Sequence, residues 1–429
     1  MTDADVQRAD RAPNLGRFET LFLDHADAVL AYAARRSDPD TAQEVVADTF
    51  VVAWRRMAAV PDPALLWLLG VARRVLPSLA VSFVIFAACT SAPQPIVQGP
   101  SASPVGPAAS FGSPGEWSIA FHSDPGGRDD TYVMNDEGTT VAAVTSGMET
   151  VAQPYWSPDG PRLLVSCCAS GFGRLFLIDA PGSEPIEVAP DVAGAVGPAW
   201  SPDGSRIVFE SIDERSLYMV DVSGSAPGAP RPLGLSGAGP SWSPDGERIV
   251  YFADGRGGPD IYTAAADGTD VERLTRNAAP DYSPSWSSDG RIVFVSERDG
   301  DQDIYVMHAD GSGQLDVSRN PWPDDFPTWS PNGRLLAYVS YRDGADPLTI
   351  GDGDAEIFVV AANGSDSQNV TRNPAWDGDP SWSPDGSEIA FTRRTGQAQL
   401  LVMQADGSSE RKLRGVRGTA NDCCPAWRP

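Results

Sequence analysis

Seven tryptophans recur at nearly constant intervals through the last two-thirds of the chain, and this repeat restricts the fold more than any other feature. They are Trp156, Trp200, Trp242, Trp286, Trp329, Trp382 and Trp427, spaced 44, 42, 44, 43, 53 and 45 residues apart. A period in this range is typical of proteins that stack copies of one supersecondary unit, because each copy leaves an apolar face that its neighbour must cover.

Turn and strand signals follow the tryptophans in a fixed order. Ser-Pro-Asp-Gly occurs at 157–160, 201–204, 243–246 and 383–386, with variants at 287–290 and 330–333. Proline fixes φ at the first corner of a tight turn, and glycine accepts the left-handed conformation. An apolar triplet comes after each turn, and continuous apolar runs indicate strands that are buried on both faces. The pattern therefore predicts a mainly β fold, in which blades stack radially as a β-propeller.

The number of apolar triplets gives the number of blades. They begin at residues 119, 163, 207, 249, 292, 336 and 389, which predicts a seven-bladed propeller, with six or eight blades as alternatives. The degraded turn Ser113-Pro114-Gly115-Glu116 before the first triplet has no tryptophan in front of it, whereas Pro425-Ala426-Trp427 stands unpaired at the other end of the chain. We therefore expect the C-terminal segment to complete the first blade and to close the ring.

The Trp-Ser-Pro-Asp-Gly units resemble the WD-like repeats of the TolB β-propeller family over about residues 111–429, and we expect the propeller itself to occupy 113–429. The resemblance implies a periplasmic or cell-surface protein that binds a protein or peptide on a face of the propeller. It implies no catalytic residues. A hydrolase would also need a Gly-x-Ser-x-Gly elbow with a downstream histidine, which this sequence lacks. We expect neither enzymatic activity nor a cofactor or resident metal.

Four of the five cysteines form two adjacent pairs, Cys167-Cys168 and Cys423-Cys424. The first pair is expected to follow the second strand of one blade, and the other to precede the first strand of the preceding blade. Both pairs should then lie on one face of neighbouring blades, and we expect one or two disulfides between them, as in an exported domain. Buried thiols or a Cys₄ zinc site are the alternatives, and adjacent cysteines do not easily direct both sulfurs to one metal ion.

Three aspartates precede successive tryptophans in segments that we expect to be loops. They are Asp281, Asp325 and Asp379. Repetition would gather them at one mouth of the central channel, where they would form a negative funnel for a cationic partner. Ordinary turn residues are the alternative.

Two further acidic stretches have metal-like spacing. Asp299, Asp301 and Asp303 alternate as calcium ligands do, but Ile304 stands where a calcium loop needs glycine, so a hairpin turn is the better interpretation. An acidic insertion explains the 53-residue interval, and we interpret it as a solvated loop in preference to a cation site. Its members are Asp343, Asp346, Asp352, Asp354 and Glu356.

Residues 73–89 have the layout of an export signal. Arg73 and Arg74 precede a mostly apolar run that ends in small residues before Cys89. Phe-Ala-Ala-Cys resembles the lipobox of bacterial lipoproteins, which implies that Cys89 is lipidated and begins the mature protein. A buried core helix is one alternative, and an uncleaved membrane anchor through residues 75–89 is another. The Pro- and Ser-rich residues 90–112 predict a flexible linker.

Residues 17–76 predict a small all-α bundle after a disordered segment at 1–16. The sequences DTAQEVVADTFVVAWRR at 40–56 and PALLWLLGVARRVL at 63–76 resemble the core-binding and promoter-melting helices in region 2 of extracytoplasmic-function sigma factors. The family's helix-turn-helix for the −35 element is absent from the sequence. The resemblance implies two sets of contacts: Asp48, Thr49, Arg55 and Arg56 would face the RNA polymerase core, and Arg73 and Arg74 would lie near promoter DNA.

The whole chain carries a formal net charge of −26, which excludes a protein that coats nucleic acid through overall positive charge. We predict a non-enzymatic, two-compartment protein, with a cytoplasmic sigma-like module for transcription initiation tethered through the membrane to an exported propeller that binds proteins or ligands. The alternative is a lipid-anchored surface propeller that acts only as a protein-binding scaffold, with an N-terminal segment that is vestigial or misjoined.

Overall fold

The computed structural model describes residues 117–429, apart from 125–129, 146–150, 170–171, 256–257, 321, 342–354 and 416–420, together with the helical residues Ala26 and Leu30. The described residues from 117 onward form seven four-stranded antiparallel sheets. The mainly β fold and the seven-bladed propeller are therefore confirmed. The helical bundle predicted for 17–76 lies, apart from those two residues, outside the described part of the chain.

The strands of the described segments follow one another blade by blade. In chain order they are β1 (Ile119–Ser123), β2 (Asp130–Met134), β3 (Val141–Ala143), β4 (Val151–Trp156), β5 (Leu163–Ala169), β6 (Phe172–Ile178), β7 (Ile186–Glu187), β8 (Ala195–Trp200), β9 (Arg206–Ser211), β10 (Ser216–Asp221), β11 (Arg231–Ser236), β12 (Ala238–Trp242), β13 (Arg248–Asp254), β14 (Pro259–Ala265), β15 (Glu272–Arg273), β16 (Asp281–Trp286), β17 (Arg291–Ser296), β18 (Asp303–His308), β19 (Leu315–Asp316), β20 (Asp324–Trp329), β21 (Leu335–Ser340), β22 (Glu356–Ala361), β23 (Gln368–Asn369), β24 (Trp376–Trp382), β25 (Glu388–Thr395), β26 (Gln397–Gln404), β27 (Arg411–Lys412) and β28 (Asp422–Trp427).

The last strand closes the ring, as the sequence predicts. The sheet of blade 1 has the order β28-β1-β2-β3, and blades 2 to 7 each take four consecutive strands from β4 to β27. We call the junction between β28 and β1 the seam. Across it, Ser123 Oγ donates to Asp422 Oδ1 at 2.6 Å, and Arg428 N donates to Ser118 O at 2.8 Å. The two ends of the propeller chain are thus joined by a sheet ladder and by side-chain hydrogen bonds.

The first strand of every blade ends at the repeat tryptophan and lies nearest the axis of the ring. In five of the seven blade-to-blade junctions the first strands of neighbouring blades contact one another, as β8 contacts β12 and β24 contacts β28. Strands of neighbouring blades can approach one another in this way close to the axis, where the circumference of the ring is smallest. The first strands therefore form the inner wall of the propeller, and the short fourth strands form its rim.

The hydrophobic core lies between blades. Each of the seven core clusters combines side chains of two neighbouring sheets, and one of them packs Ile119 and Phe121 of blade 1 against Ala390 and Val402 of blade 7. The apolar triplets that count the blades are completely buried in these clusters, as at Ile207, Val208 and Phe209. A single blade has no core of its own, so the blades depend on one another for burial.

The repeat tryptophans bond each blade to the one before it. In five of the seven, the indole Nε1 donates to the carbonyl oxygen of the residue that precedes the previous blade's tryptophan. The bonds are Trp156 to Ala426 (3.1 Å), Trp200 to Tyr155 (3.2 Å), Trp242 to Ala199 (3.1 Å), Trp329 to Ser285 (3.2 Å) and Trp382 to Thr328 (3.3 Å). At Trp286 and Trp427 the backbone N–H donates instead, to the hydroxyl of Ser241 or Ser381 at 3.3 Å.

The Ser-Pro-Asp-Gly turns hold the strands in register and reach the next blade. In blade 3, Ser201 Oγ donates to Asp203 Oδ1 at 2.6 Å and accepts from Arg206 N at 2.9 Å. The hydrogen bonds from Ser201 and Ser205 lower the pKa of Asp203 to about 2. The arginine that follows such a turn stacks on the next tryptophan: Arg206 lies 4.6 Å from the ring centre of Trp242.

Candidate functional site

A β-bulge interrupts the first strand of all seven blades, and it shapes the inner wall of the ring. The strand pairing shifts register in each of them just before the tryptophan. A proline stands two residues before every repeat tryptophan. Proline has no N–H to give to a sheet ladder and is found in sheets at edges and bulges, so it accounts for the shift. The repeated proline is thus a sequence signal for the bulge, although the predicted turns and strands did not include one.

We call the residues three positions before the tryptophans the bulge ring. They are Gln153, Gly197, Gly239, Ser283, Phe326, Asp379 and Cys424. Six of them have positive φ, from 51° at Ser283 to 58° at Gly239 and Cys424. For residues other than glycine this conformation costs on the order of 1–3 kcal/mol, and such strain is concentrated at functional sites.

The strongest candidate for binding lies on the blade 5 and blade 6 side of the bulge ring. Phe326 has φ 54° and is 48% exposed, and its backbone N–H donates to Asp325 Oδ1 at 2.7 Å. Burial raises the pKa of Asp325 to about 6. Tyr282 accepts a hydrogen bond from Gln302 Nε2 at 2.6 Å, and burial and the Asp325 carboxylate raise the pKa of its phenol. We call Tyr282, Asp325 and Phe326 the acid–aromatic patch.

Asp379 lies further around the bulge ring, beside blade 1. Burial raises the pKa of Asp379, while hydrogen bonds from Thr392 and Cys424 and the charge of Arg394 oppose that rise. The Asp379 carboxylate is thus influenced by neighbours inside the protein, although its Oδ2 atom has no hydrogen-bond partner among the described residues.

Asp281 has a structural position. It is completely buried, bonds to Asn277 and accepts from Arg298 at 3.2 Å. The residues at the same register in the next two blades are Asp324 and Asp377, which bond in the same way to Asn320 and Asn373 at 2.5 Å. The three aspartates of the predicted funnel stand five, four and three residues before their tryptophans. They lie within strands and do not form one symmetric set.

A group of carboxylates in blade 5 is the part of the described chain best suited to a cation. Oxygens of Asp299, Asp303 and Asp316 lie within 4.8 Å of one another. In blade 4 the corresponding pair is Asp260 and Arg273, which form an ion pair at 2.6 Å. Burial and the neighbouring acids Asp316, Asp301 and Asp324, in that order, raise the pKa of Asp303 to about 8. Exposed acidic groups are common without a metal, and nothing else at this position points to one.

The turn interpretation of 299–303 agrees with the backbone, because Gly300 N donates to Glu297 O at 3.1 Å and Asp303 begins β18. Of the acidic insertion, Asp343, Asp346, Asp352 and Asp354 lie outside the described residues. Glu356 begins β22, where it bonds to Thr371 and accepts from Asn373 N at 2.7 Å. Burial raises the pKa of Glu356 to about 7.

The cysteine pairs lie within strands, not beside them as predicted from sequence. Cys167 and Cys168 belong to β5, and Cys423 and Cys424 to β28. Cys167 pairs with Val151 at the start of β4, and Cys423 pairs with His122. Both pairs thus lie towards the ends of neighbouring sheets where the first strands begin. The side chains of Cys167 and Cys168 lie outside the described residues, so the disulfides between the pairs stay a prediction.

The sites predicted in the N-terminal part also lie outside the described residues. They are Asp48, Thr49, Arg55, Arg56, Arg73, Arg74 and Cys89. Among the residues that the structure describes, no helix has the length and apolar character needed to cross a membrane.

Comparison with known proteins agrees with the propeller. Residues 231–351 match the family model for the PD40 TolB β-propeller domain. TolB from Acinetobacter baumannii is 19% identical over 73% of this chain and 83% of its own, with a TM-score of 0.46. Oligogalacturonate lyase from Vibrio parahaemolyticus is 15% identical, with a TM-score of 0.50 over 69% of this chain and 84% of its own.

A puromycin hydrolase is also similar, at 17% identity and a TM-score of 0.54. The match covers 72% of this chain and 53% of the hydrolase, so the described propeller corresponds to about half of that enzyme. At these identities the lyase and the hydrolase, with TM-scores of 0.50 and 0.54, show a shared fold alone. The chain therefore contains a seven-bladed propeller with a TolB-like PD40 domain.

Proposed function

We propose that this chain is a protein-binding scaffold, and that its partner presents a cationic segment to the bulge ring. The observation that carries the proposal is Phe326, a bulky aromatic residue held at φ 54° with nearly half of its surface exposed. Its neighbour Asp325 supplies a carboxylate, and Tyr282 supplies a second aromatic ring nearby. An aromatic face beside a carboxylate favours lysine, arginine or a free amino terminus.

The family match supports this function over the sigma-factor function, since it falls within the propeller and its description is that of a TolB β-propeller domain. The absence of enzymatic activity is part of the proposal. Propellers also occur in the lyase and the hydrolase named above, so a shared fold does not decide between binding and catalysis.

Binding can be measured with a fluorescein-labelled, lysine-rich decapeptide and the full-length protein. We expect the peptide to bind more tightly than its glutamate counterpart and to weaken with added salt, because the attraction is partly electrostatic. Asp325→Asn and Phe326→Ser should each weaken binding by about tenfold, which corresponds to roughly 1.4 kcal/mol.

Two variants of exposed residues serve as controls. Val271→Ser removes an apolar side chain that is 51% exposed, and Asp267→Asn removes a carboxylate from an exposed turn. Neither lies in the bulge ring, and neither should change the affinity. Equal binding of the lysine and glutamate peptides, or equal losses in the control variants, would contradict the proposal.

We further propose that the propeller is exported and held at the membrane by the segment at 73–89. Support comes from the sequence: Arg73-Arg74, the apolar run and the lipobox-like end at Cys89. Mass spectrometry of the mature N-terminus tests this. Lipidated Cys89 as the first residue supports a surface lipoprotein, an intact chain in membranes supports the two-compartment arrangement, and a cytosolic, uncleaved chain contradicts both.

Polymerase binding by residues 17–76 stays a prediction. If that segment is an active sigma module, the chain should co-purify with the RNA polymerase core, and Phe50→Asp should abolish the capture. Unchanged capture in that variant would count against the sigma-like module and leave the propeller proposal intact.

A further inference from the structure

The seam of the propeller contains two adjacent thiols and a histidine. Cys423 Sγ lies 2.8 Å from Cys424 Sγ and 3.5 Å from His122 Nδ1. Cys423 and His122 are each 3% exposed, whereas Cys424 is half-buried. The two sulfurs therefore meet in a site that is closed on the Cys423 side and more open on the Cys424 side.

The β-bulge makes this contact possible. In a regular strand, neighbouring side chains point to opposite faces of the sheet, so adjacent cysteines would hold their sulfurs apart. Cys424 has φ 58° and is followed by Pro425 in the bulge of β28. Its backbone N–H donates to Thr392 Oγ1 at 3.1 Å, away from the ladder. The same bulge occurs in every blade, but only here are both residues before the proline cysteines.

The polar neighbours of the pair differ between the two thiols. His122 Nδ1, when it carries no proton, can accept the proton of Cys423. The carboxylate of Asp379 lies close enough to Cys424 for the two groups to interact. Tyr155 lies close enough to sense the charge of Cys424.

We propose that Cys423 and Cys424 form a redox-active vicinal dithiol, which an external disulfide of the glutathione type converts to a Cys423–Cys424 disulfide. Cys424, the more accessible thiol, attacks one sulfur of the external disulfide, breaks its S–S bond and forms a mixed disulfide. The released thiolate takes up the proton that Cys424 lost.

Cys423 then completes the exchange. It passes its proton to His122 and attacks Cys424 Sγ, which expels the second thiolate, and this thiolate takes the proton from His122. Two protein thiols lose two electrons and two protons, and the external disulfide gains both. The inference does not depend on the proposed peptide binding.

Such a bond should be readily reversible. Consecutive Cα atoms are about 3.8 Å apart, which is shorter than the roughly 4.4–6.8 Å that disulfides usually span. Strained disulfides are more easily reduced and tend to be labile instead of permanent cross-links. A Cys423–Cys424 bond would thus differ in kind from the stabilising disulfides predicted between this pair and Cys167-Cys168.

Peptide mapping can distinguish these pairings because trypsin separates the two cysteine pairs. Cleavage yields one peptide over 163–174 and another over 418–429. The full-length protein is reduced, equilibrated with excess glutathione disulfide, alkylated and digested. We expect the 418–429 peptide to lack two hydrogen atoms and to carry no alkyl group. Excess reduced glutathione should restore two alkylated cysteines while tryptophan fluorescence shows that the protein stays folded.

Matched variants show which cysteines form the bond. Cys167→Ser/Cys168→Ser should close the 418–429 bond as completely as the wild type, and Cys424→Ser should abolish it. His122→Gln should slow closure without changing its final extent. A cross-link between the two peptides, or two alkylated cysteines in 418–429 at equilibrium with excess glutathione disulfide, would overturn the proposal.

Discussion

Each first strand has two parts, the tryptophan with the turn that follows it and the bulge that precedes it. They differ in whether their side chains repeat from blade to blade. At the tryptophan, the side chains repeat in most blades: the indole bonds backward to the previous blade in five of the seven, and in six of the seven a turn serine follows the tryptophan, as Ser243 does in blade 4. At the bulge end, the backbone repeats but the side chains differ, and the seven positions hold six residue types. The regular end holds the ring together, whereas the variable end gives each blade its own chemistry.

The same contrast appears among the buried acids. Blade 4 pairs Asp260 with Arg273 in an ion pair, and blade 5 holds Asp303 and Asp316 at the corresponding positions. Because the backbone is the same, the difference in charge must be absorbed by protonation or by a counter-ion. A repeat fold thus tolerates local departures from the pattern, provided that the bonds between blades remain.

The largest test of this comparison removes the closing strand. A chain that ends before Asp422 lacks β28, which leaves one edge of β1 unpaired and exposes the core shared by blades 7 and 1. We expect loss of the single cooperative urea transition and increased aggregation, because an apolar strand edge is uncovered. Removing only Pro429 should leave the transition unchanged. A cooperative monomer without β28 would show that the bonds between the other blades are sufficient.

A second test compares two tryptophans at the regular end. Trp242 donates to Ala199 O at 3.1 Å, whereas Nε1 of Trp286 has no hydrogen-bond partner among the described residues. Trp242→Phe leaves a carbonyl without its donor and should lower the free energy of unfolding by about 1 kcal/mol more than Trp286→Phe. Urea unfolding of both variants measures the difference. Equal losses would mean that packing, not the indole bond, joins the blades.

A third test uses the pH dependence of stability to distinguish the buried acids of blade 5 from the ion pair of blade 4. The pKa of Asp303 is raised to about 8 by burial and neighbouring acids, against about 3.9 in an unfolded chain. A raised carboxyl pKa contributes stability that is fully present below about pH 4 and lost as the pH rises through about 8. Asp303→Asn should therefore gain stability relative to the wild type as the pH rises over this window.

Asp310→Asn in an exposed turn is the control. Hydrogen bonds from Ser312 lower the pKa of Asp310, so its contribution has the opposite dependence on pH. Thermal unfolding at a series of pH values measures both. A flat difference between Asp303→Asn and the wild type would contradict the assigned burial of the Asp303 charge.

The smallest expected effect concerns Phe326. Glycine already occupies this position in blades 3 and 4, at Gly197 and Gly239. Phe326→Gly relieves the positive-φ strain at the cost of backbone entropy, so we expect a gain in stability of up to about 1 kcal/mol together with weaker binding of the lysine-rich peptide. Val271→Gly, at an exposed position without positive φ, should not gain stability. A loss at Phe326→Gly would mean that its contacts outweigh the strain.

The sequence was sufficient for the architecture because the features that define it repeat. Seven triplets predict seven blades, and the unpaired Trp427 predicts that the C-terminus completes blade 1; both are confirmed. The prediction of ordinary turns at the Ser-Pro-Asp-Gly segments also agrees with their hydrogen bonds. These elements are encoded locally and many times, so an error in one copy is corrected by the others.

The site was harder to predict because it depends on register and on contacts between distant segments. Nearness to a tryptophan is what groups Asp281, Asp325 and Asp379 in the sequence, but differences of one or two residues in register place them in different environments. The contact of His122 with Cys423 joins residues 301 positions apart. No local pattern indicates such a pair until the closing strand has been aligned with the first triplet.

The proline in each bulge limits how a ligand can be held at the axis. The first strands form the innermost edge of every sheet, and an open edge normally invites an extended peptide to add as a further strand. Seven prolines without N–H groups, each beside a break in the ladder, remove the continuous row of donors that such annealing requires. A ligand in the central channel must therefore be recognised by the side chains that it contacts. The same prolines prevent the inner strands from pairing with other chains and starting fibril formation.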